Sequence, residues 1–153
     1  MLKRTHLALA PLFLTLAILL AACGNQSSAP TAAAPTDALA KLRANAWQWV
    51  TYKGPTEVIA TVSTTPNYTL TFNADGSLAV KADCNNAVGS YQAADGKLTI
   101  TLGPVTAAAC GADSHSEKLL KLLGGAALYR FDNKDLVIEL LADGGTLTFV
   151  PLK

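Results

Sequence analysis

Three cysteines, Cys23, Cys84 and Cys110, are the residues of this sequence best suited to covalent chemistry. Cys23 ends a segment that resembles an export signal, so Cys84 and Cys110 remain as an even pair, and in an exported protein such a pair favours a disulfide. Closing that loop would stabilise the fold by about 3 to 4 kcal/mol by restricting the unfolded chain. Two free buried thiols are the alternative. A zinc site or a redox dithiol is disfavoured, because beyond residue 22 the chain has one histidine, His115, and no CxxC.

Two polar clusters could support other chemistry. Residues Asp113–Ser116 hold the residue types of a nucleophilic triad, but neighbours at a helix start point in different directions, so helix capping explains them better. Asp83, Asn85 and Asn86 could offer oxygen ligands to calcium, yet the glycine and closing glutamate of an EF-hand loop are missing. Asn85 is expected to bond backbone beside the disulfide instead. The sequence therefore predicts no catalytic residue, no metal site and no cofactor.

The N-terminal 22 residues are typical of an export signal. Lys3 and Arg4 precede the apolar run Leu7–Leu20, and small residues lead to Cys23. A transmembrane helix is disfavoured, because it needs about 20 apolar residues and this run is shorter and contains Pro11. We expect residues 1–22 to be removed from the mature protein.

The tetrapeptide Leu20–Cys23 resembles the lipobox of bacterial lipoproteins, in which the cysteine is acylated and becomes the new first residue. The uncharged stretch Gly24–Thr36 is rich in Ser, Ala, Pro and Thr, a composition that favours a tether over a folded segment. We therefore expect residues 23–43 to be a lipidated cysteine with a flexible tether. Two or three acyl chains hold a protein durably on a membrane. The expected location is the extracytoplasmic face of a bacterial membrane, and the outer membrane if the cell has two.

Composition narrows the class of the remaining chain. The full sequence has 12 basic and 11 acidic residues, and without the first 22 residues 10 bases and 11 acids remain. A near-neutral chain with no cationic block argues against nucleic-acid binding. Half of the residues are apolar, which argues against a disordered regulator. We expect one monomeric domain over residues 44–153.

Short alternating runs separated by turn signals predict a β-meander. Ala-Asp-Gly occurs at residues 74–76, 94–96 and 142–144, and Asp-Gly favours the backbone of hairpin turns. Apolar residues alternate with threonines in the flanking runs, as expected for half-buried strands. The predicted strands are Ala46–Lys53, Glu57–Val62, Tyr68–Phe72, the run with Leu78 and Val80, Leu98–Leu102, Ala127–Phe131, Leu136–Leu140 and Leu147–Phe149. The predicted fold class is mainly β (α+β), an antiparallel β-meander curling toward a barrel, with one short packed helix.

That helix is predicted over Ser114–Leu123. Asp113 or Ser114 can cap its start, and Gly124 and Gly125 follow its last apolar residue. Four leucines form one apolar stripe that should pack across one side or end of the sheet. They are Leu119, Leu120, Leu122 and Leu123. A membrane-surface helix is disfavoured, because two lysines supply few cations for binding lipid.

Five aromatic residues of the predicted domain have two interpretations. Exposed aromatics often anchor partners, but so few large side chains occur in this domain that we assign most of these to the core. They are Trp47, Trp49, Tyr52, Tyr68 and Tyr91. Gly89 is expected to serve a bulge or a tight turn.

Several motifs together resemble the META domain of HslJ-type bacterial lipoproteins. They are Asp83-Cys84-Asn85, Gly89-x-Tyr91 and Thr106-Ala-Ala-Ala109-Cys110, supported by Trp47-x-Trp49 and the hairpin Tyr68–Gly76. The resemblance spans residues 44–150. It implies a compact β-rich domain with one helix, an envelope location and, in some members, stress-associated expression. It supplies no established catalytic residue.

The most favoured function is that of a non-enzymatic, membrane-anchored envelope module, associated with stress, that binds another envelope protein or a cell-wall component. The alternative is a lipocalin-like carrier of a small apolar ligand inside the curled sheet. Interior volume discriminates the two, because a barrel of about eight strands is either filled by side chains or holds one small ligand. A hydrolase is disfavoured.

Overall fold

The computed structural model of the protein describes residues 35–60 and 67–152, without the side chains of Pro35, Thr36 and Ala60. The predicted signal segment, Cys23 and the first part of the predicted tether lie outside the described residues. The elements in chain order are α1 (Pro35–Arg43), β1 (Ala46–Lys53), β2 (Val58–Ala60), β3 (Tyr68–Phe72), β4 (Ser77–Ala82), β5 (Asn85–Ala94), β6 (Lys97–Val105), α2 (Ser116–Leu123), β7 (Ala126–Asp132), β8 (Asp135–Leu140) and β9 (Thr146–Pro151).

Eight of the strands form a closed antiparallel barrel. From β3 to β9 each strand pairs with the next along the chain, and β1 pairs with both β3 and β9, which closes the ring. The short β2 pairs with the second half of β1, through Thr51–Lys53. The predicted fold class, a mainly β meander curling toward a barrel with a packed helix, is confirmed.

Alternation of buried apolar side chains with partly exposed ones explains why most of the strands form. In β3, Tyr68, Leu70 and Phe72 are buried, while the threonines between them are partly exposed. β5 was not among the predicted strands, although it spans ten residues. Its buried positions include Asn85 and Ala87, which are polar or small, so the sequence shows little apolar contrast there.

Large side chains fill the interior of the barrel. Trp47, Trp49, Phe72 and Phe149 are at most 1% exposed and belong to one continuous cluster. Most of the five aromatic residues were expected in the core, and all five are buried; Trp49 packs edge-on against Tyr68, with ring centroids 5.5 Å apart. These side chains form a continuous core inside the barrel, as in small barrels whose interior is filled by side chains.

The predicted helix is present as α2, and it begins at Ser116, two residues later than expected. Leu119 and Leu123 are fully buried, while the other two leucines of the stripe are partly buried against the core. The predicted cap, Asp113 or Ser114, is wrong, because the N-cap residue is His115 and no side chain caps the helix; Ser114 Oγ instead accepts a hydrogen bond from the Ser116 amide at 3.2 Å. α2 is therefore a packed element of the domain.

The chain also contains a helix that the sequence interpretation missed. Residues 35–43 were assigned to the tether, but they form α1, so that assignment is wrong for this part. Pro35 begins the helix, an acid lies in its first turn and bases lie in its last turn, all of which favour a helix. Leu42 is fully buried, and its carbonyl accepts a hydrogen bond from Trp47 Nε1 at 2.8 Å.

The two helices lie at opposite ends of the barrel. At the α1 end, which includes the β3–β4, β5–β6 and β7–β8 turns, Lys41 Nζ donates to the carbonyl of Asn133 at 2.6 Å. At the α2 end, which includes the β1–β2 and β4–β5 turns and the β8–β9 connection, the His115 amide donates to Tyr68 Oη at 3.0 Å. Strands without helices would leave both ends of the interior open to solvent.

Candidate functional site: a pinned loop at the α2 end

A ten-residue loop, residues 106–115, joins β6 to α2 and carries the second half of the motif found in the sequence. We call it the pinned loop. Most of its residues are exposed, Ala109 among them, yet the disulfide between Cys84 and Cys110 attaches it to the β4–β5 turn. The Cα atoms of the two cysteines are 5.6 Å apart, so the predicted disulfide is confirmed.

Asn85 is the centre of a hydrogen-bond network beneath this loop. Its Oδ1 accepts from the Ala108 amide at 2.8 Å and from Thr106 Oγ1 at 3.2 Å. Its Nδ2 donates to the Ala108 carbonyl at 3.2 Å and to Ser116 Oγ at 3.1 Å, and lies 3.3 Å from Cys110 Sγ. Asn85 is 6% exposed, and a buried amide with this many partners fixes the backbone around it.

Thr106 fixes the first residue of the pinned loop against β5. Its amide donates to the Asn86 carbonyl at 2.9 Å, and its Oγ1 accepts from the Asn86 amide at 2.9 Å. The loop is thus held at its start by Thr106, in its middle by Asn85 and Cys110, and at its end by α2. An exposed loop held in one conformation loses little entropy when it binds a partner.

A polar hollow of about 330 Å³ lies beside the loop. Its lining includes Asn85, Ala109, Cys110, Ser114 and Glu117. Of these, Glu117 lies in the first turn of α2 and is exposed. The hollow offers hydrogen-bonding groups on a rigid frame, which suits recognition of a polar partner.

The residues that resembled a triad have structural contacts instead. Ser116 is 2% exposed, and its hydroxyl accepts from Asn85. Ser114 Oγ accepts from the Ser116 amide, and the ring of His115 makes an edge contact with Trp49 at 6.2 Å between centroids. These contacts agree with the interpretation of the segment as a helix start.

Ser116 belongs to the Asn85 network, and the sequence interpretation did not predict this role. A signal for it exists, because Ser116 precedes Leu119 and Leu123 by three and seven residues and therefore lies on the buried face of the helix. A polar residue on an apolar face needs a buried partner. Asn85 provides it.

The first half of the motif extends away from the pinned loop along β5. Asp83, in the β4–β5 turn, has a left-handed backbone with φ 57°, and its amide donates to the Asn67 carbonyl. Gly89 lies at a register shift between β5 and β6, and a Cβ there would be 2.3 Å from the Thr101 carbonyl oxygen. The prediction of a bulge at Gly89 is confirmed.

Tyr91 lies at the α1 end and takes no part in the pinned loop. Its hydroxyl donates to the Asn73 carbonyl at 2.7 Å and accepts from Arg43 Nε at 2.6 Å. Its ring packs edge-on against Phe72, with centroids 4.9 Å apart. The motif residues therefore have two separate roles, one at each end of the barrel.

Neither a metal-ligating cluster nor a long apolar helix occurs among the described residues. Over residues 35–60 and 67–152, no three or more His, Cys, Asp or Glu side chains are grouped so that they could hold a metal ion. In the same part of the chain, no helix has the length and apolar character required to cross a bilayer.

Comparison with known families agrees with the motif and the fold. The family model described as the META domain matches residues 40–153. The chain belongs to the META domain family. The matched region begins within α1, four residues before the boundary expected from the sequence, which agrees with the packing of Leu42 into the META barrel. A comparison with curated proteins gives no match.

Solved structures resemble this META domain in fold. An NMR structure of a protein from Burkholderia xenovorans is 26% identical, with a TM-score of 0.64, over 84% of this chain and 94% of that one. A DUF4847 family protein from Bacteroides vulgatus is 15% identical, with a TM-score of 0.53, over 71% of this chain and 93% of that one. The second likeness concerns the fold alone.

Proposed function

We propose that this chain is a lipid-anchored, extracytoplasmic META-domain protein that acts by binding another envelope protein or a cell-wall component, without catalysing a reaction. The observation that carries the proposal is the pinned loop, an exposed segment fixed by a disulfide and by Asn85. A barrel whose interior is filled and whose two ends carry helices leaves its outer surface for recognition. The same filling argues against the alternative of a carrier with a ligand inside the sheet.

Support for non-enzymatic action comes from the use of the reactive side chains. The two cysteines of the domain are joined, and Ser116 and Asn85 bond to one another. Groups committed to such contacts are poorly placed to act as nucleophile or base, because each of those roles needs a group directed at a substrate.

Support for the anchor comes from the sequence Leu20–Cys23 and the uncharged stretch that follows it. Mature protein from the native host is expected to carry acyl groups at Cys23 and to sediment with membranes. Cys23→Ser is expected to release the domain or stall its processing, while Ser27→Ala in the same stretch leaves it anchored. Intact-mass measurement of an unmodified, membrane-free mature wild type would contradict anchoring.

The binding role is tested by crosslinking at defined positions. A photo-crosslinking residue at Gly111, where no heavy atom lies within 4 Å of an added Cβ, probes the pinned loop without disturbing it. The matched control carries the same residue at the exposed Lys134 of the α1 end. We expect one discrete adduct in intact envelopes from position 111 alone. Equal labelling from both positions, or none from 111, contradicts the proposal.

A role in stress tolerance is part of the same proposal. Cells without the gene are expected to survive envelope stress less well, and the anchored wild-type protein should restore survival. Restoration by Cys23→Ser to the same level would show that anchoring is dispensable.

A further inference from the structure

A groove of about 330 Å³ lies between α2 and the connection from β8 to β9, on a different face of the helix from the pinned loop. We call it the α2 groove. Its lining includes Tyr52, Lys118, Lys121, Leu122, Leu140 and Leu141. The volume is at the small end of the range for small-molecule sites.

Several polar atoms along this groove already have partners. Tyr52 Oη donates to the Gly144 carbonyl at 2.9 Å, the Leu141 amide donates to the Gly125 carbonyl at 2.8 Å, and the Gly144 amide donates to the Leu141 carbonyl at 3.0 Å. A bound peptide would bring amides and carbonyls that need partners of their own. An alkyl chain brings none, so the groove suits an alkyl chain better than a peptide.

Leu141 is a large apolar side chain left exposed at the rim of the groove. It is 62% exposed, and the two residues after it, Ala142 and Asp143, have left-handed backbones with φ 52° and 55°. That conformation is common for aspartate in turns but unfavourable for alanine, so at Ala142 it persists because the surrounding structure enforces it. The connection is thus held in a conformation that presents Leu141 to the groove and to solvent.

The charged groups of the groove differ in their availability. Lys118 Nζ hydrogen-bonds to Glu57, which raises the pKa of Lys118, and lies 5.4 Å from the Tyr52 ring centroid. Lys121 has no ion-pair or hydrogen-bond partner among the described residues. Lys121 is therefore the cation available to an occupant, and it selects for a negative head group.

We propose that the α2 groove binds a small anionic amphiphile, namely a single alkyl chain that ends in a carboxylate or a phosphate. The chain lies against the leucines of the groove, and the head group lies beside Lys121. This site is outside the filled barrel, and the proposal does not depend on anchoring or on the pinned loop.

The probe is decanoate below its micelle concentration, and its binding is measured by calorimetric titration. The protein is the full chain carrying Cys23→Ser, so that no acyl group of the protein itself competes for the groove. Saturable binding is expected. Leu141→Ser should weaken it about tenfold through lost apolar contact, and Lys121→Ala about two- to fivefold, as for an exposed charge pair. The neutral analogue 1-decanol should bind wild type and Lys121→Ala equally.

Matched controls lie elsewhere on the barrel. Leu128→Ser removes another exposed leucine, at 45% exposure, and Lys134→Ala removes a cation of the α1 end. Both should bind decanoate like wild type, and thermal melting confirms that each variant is folded. Decyl phosphate, titrated in parallel, identifies the preferred head group.

Three results overturn the proposal. The first is the absence of saturable decanoate or decyl phosphate binding. The second is an equal loss in the control variants, which indicates nonspecific adsorption. The third is binding to phosphatidylglycerol vesicles through Leu141 without binding of either monomer, which makes the groove a membrane-contact surface.

Discussion

The α1 and α2 ends of the barrel are closed by different means. At the α1 end, strands return through short turns such as Asp95–Gly96, and the helix is held by Leu42 and by single side-chain bonds. At the α2 end, the ten-residue connection from β6 to α2 is largely exposed, and it is tied by a disulfide and by the Asn85 network. Short turns need little reinforcement, whereas an exposed loop needs added contacts to keep one conformation.

The two ends also differ in the location of the proposed binding surfaces. The pinned loop with its hollow and the α2 groove both lie at the α2 end. At the α1 end, Arg43, Tyr91 and Asn73 form a chain of hydrogen bonds that joins the helix to the β3–β4 turn. We therefore expect variants at both ends to change stability, and variants at the α2 end alone to change binding.

The largest effect is expected from truncating the leucine with which each helix enters the core. Leu42→Ala and Leu119→Ala each remove a fully buried side chain, and each should lower the free energy of unfolding by about 2 to 5 kcal/mol in denaturant titrations. Leu128→Ala on the partly exposed wall is the control. An unchanged midpoint for Leu42→Ala would mean that α1 contributes nothing to the fold and that the two ends differ more than described.

Removal of the disulfide should affect the two ends of the barrel differently. Cys84 and Cys110 are 26 residues apart, and replacing both with alanine should lower the free energy of unfolding by about 3 to 4 kcal/mol. Amide hydrogen exchange should accelerate most in the pinned loop and at the start of α2. Equal acceleration in the β5–β6 turn would show that the disulfide stabilises the barrel as a whole and not one end.

A smaller effect is expected from Asn85→Ala, which leaves the Ala108 amide and Ser116 without their partner. The free energy of unfolding should fall by about 1 to 3 kcal/mol, as for buried polar groups that lose a hydrogen bond. The control is Asn86→Ala, since Asn86 is exposed and contacts the loop through its backbone. If both variants had the same midpoint, the network would contribute little beyond the disulfide.

The smallest effect on stability is expected from protonation of Asp75, which lies in the β3–β4 turn at the α1 end. Hydrogen bonds from the hydroxyl and amide of Ser77 lower the pKa of Asp75 below its ordinary value of 3.8. Since the folded pKa is the lower one, this stabilisation is present above pH 3.8 and is lost as the pH falls through the lowered pKa. In an NMR titration, Ser77→Ala should shift the pKa of Asp75 upward, and an unchanged pKa would contradict the assigned cause.

Local patterns were enough to predict much of the fold. The alternation in β3 and the Asp-Gly turns indicated hairpins because both signals depend on residues close in sequence. The disulfide between Cys84 and Cys110 could be predicted from the number of cysteines and from the expected extracytoplasmic compartment alone. α1 was missed because it follows a stretch rich in Ala and Pro, and β5 because the inward side chains of its first half, Asn85 and Ala87, are polar or small.

The candidate site could be predicted only in part. Cys84, Cys110 and the role of Asn85 were expected from the sequence, but the contact of Asn85 with Ser116 joins residues 31 positions apart. The α2 groove could not be predicted, because its walls come from β1, α2 and the β8–β9 connection. Nothing in the local sequence of any one of these elements indicates that the three meet.

The sequence by itself determined that the chain is β-rich, that its aromatic residues are buried and that one helix packs on the sheet, because periodicity and turn chemistry are local properties. Tertiary structure alone decided that β1 pairs with β9, about 100 residues later, and that the two helices lie at opposite ends. Pairing between distant strands depends on the lowest free energy of the whole chain. No local pattern records that choice.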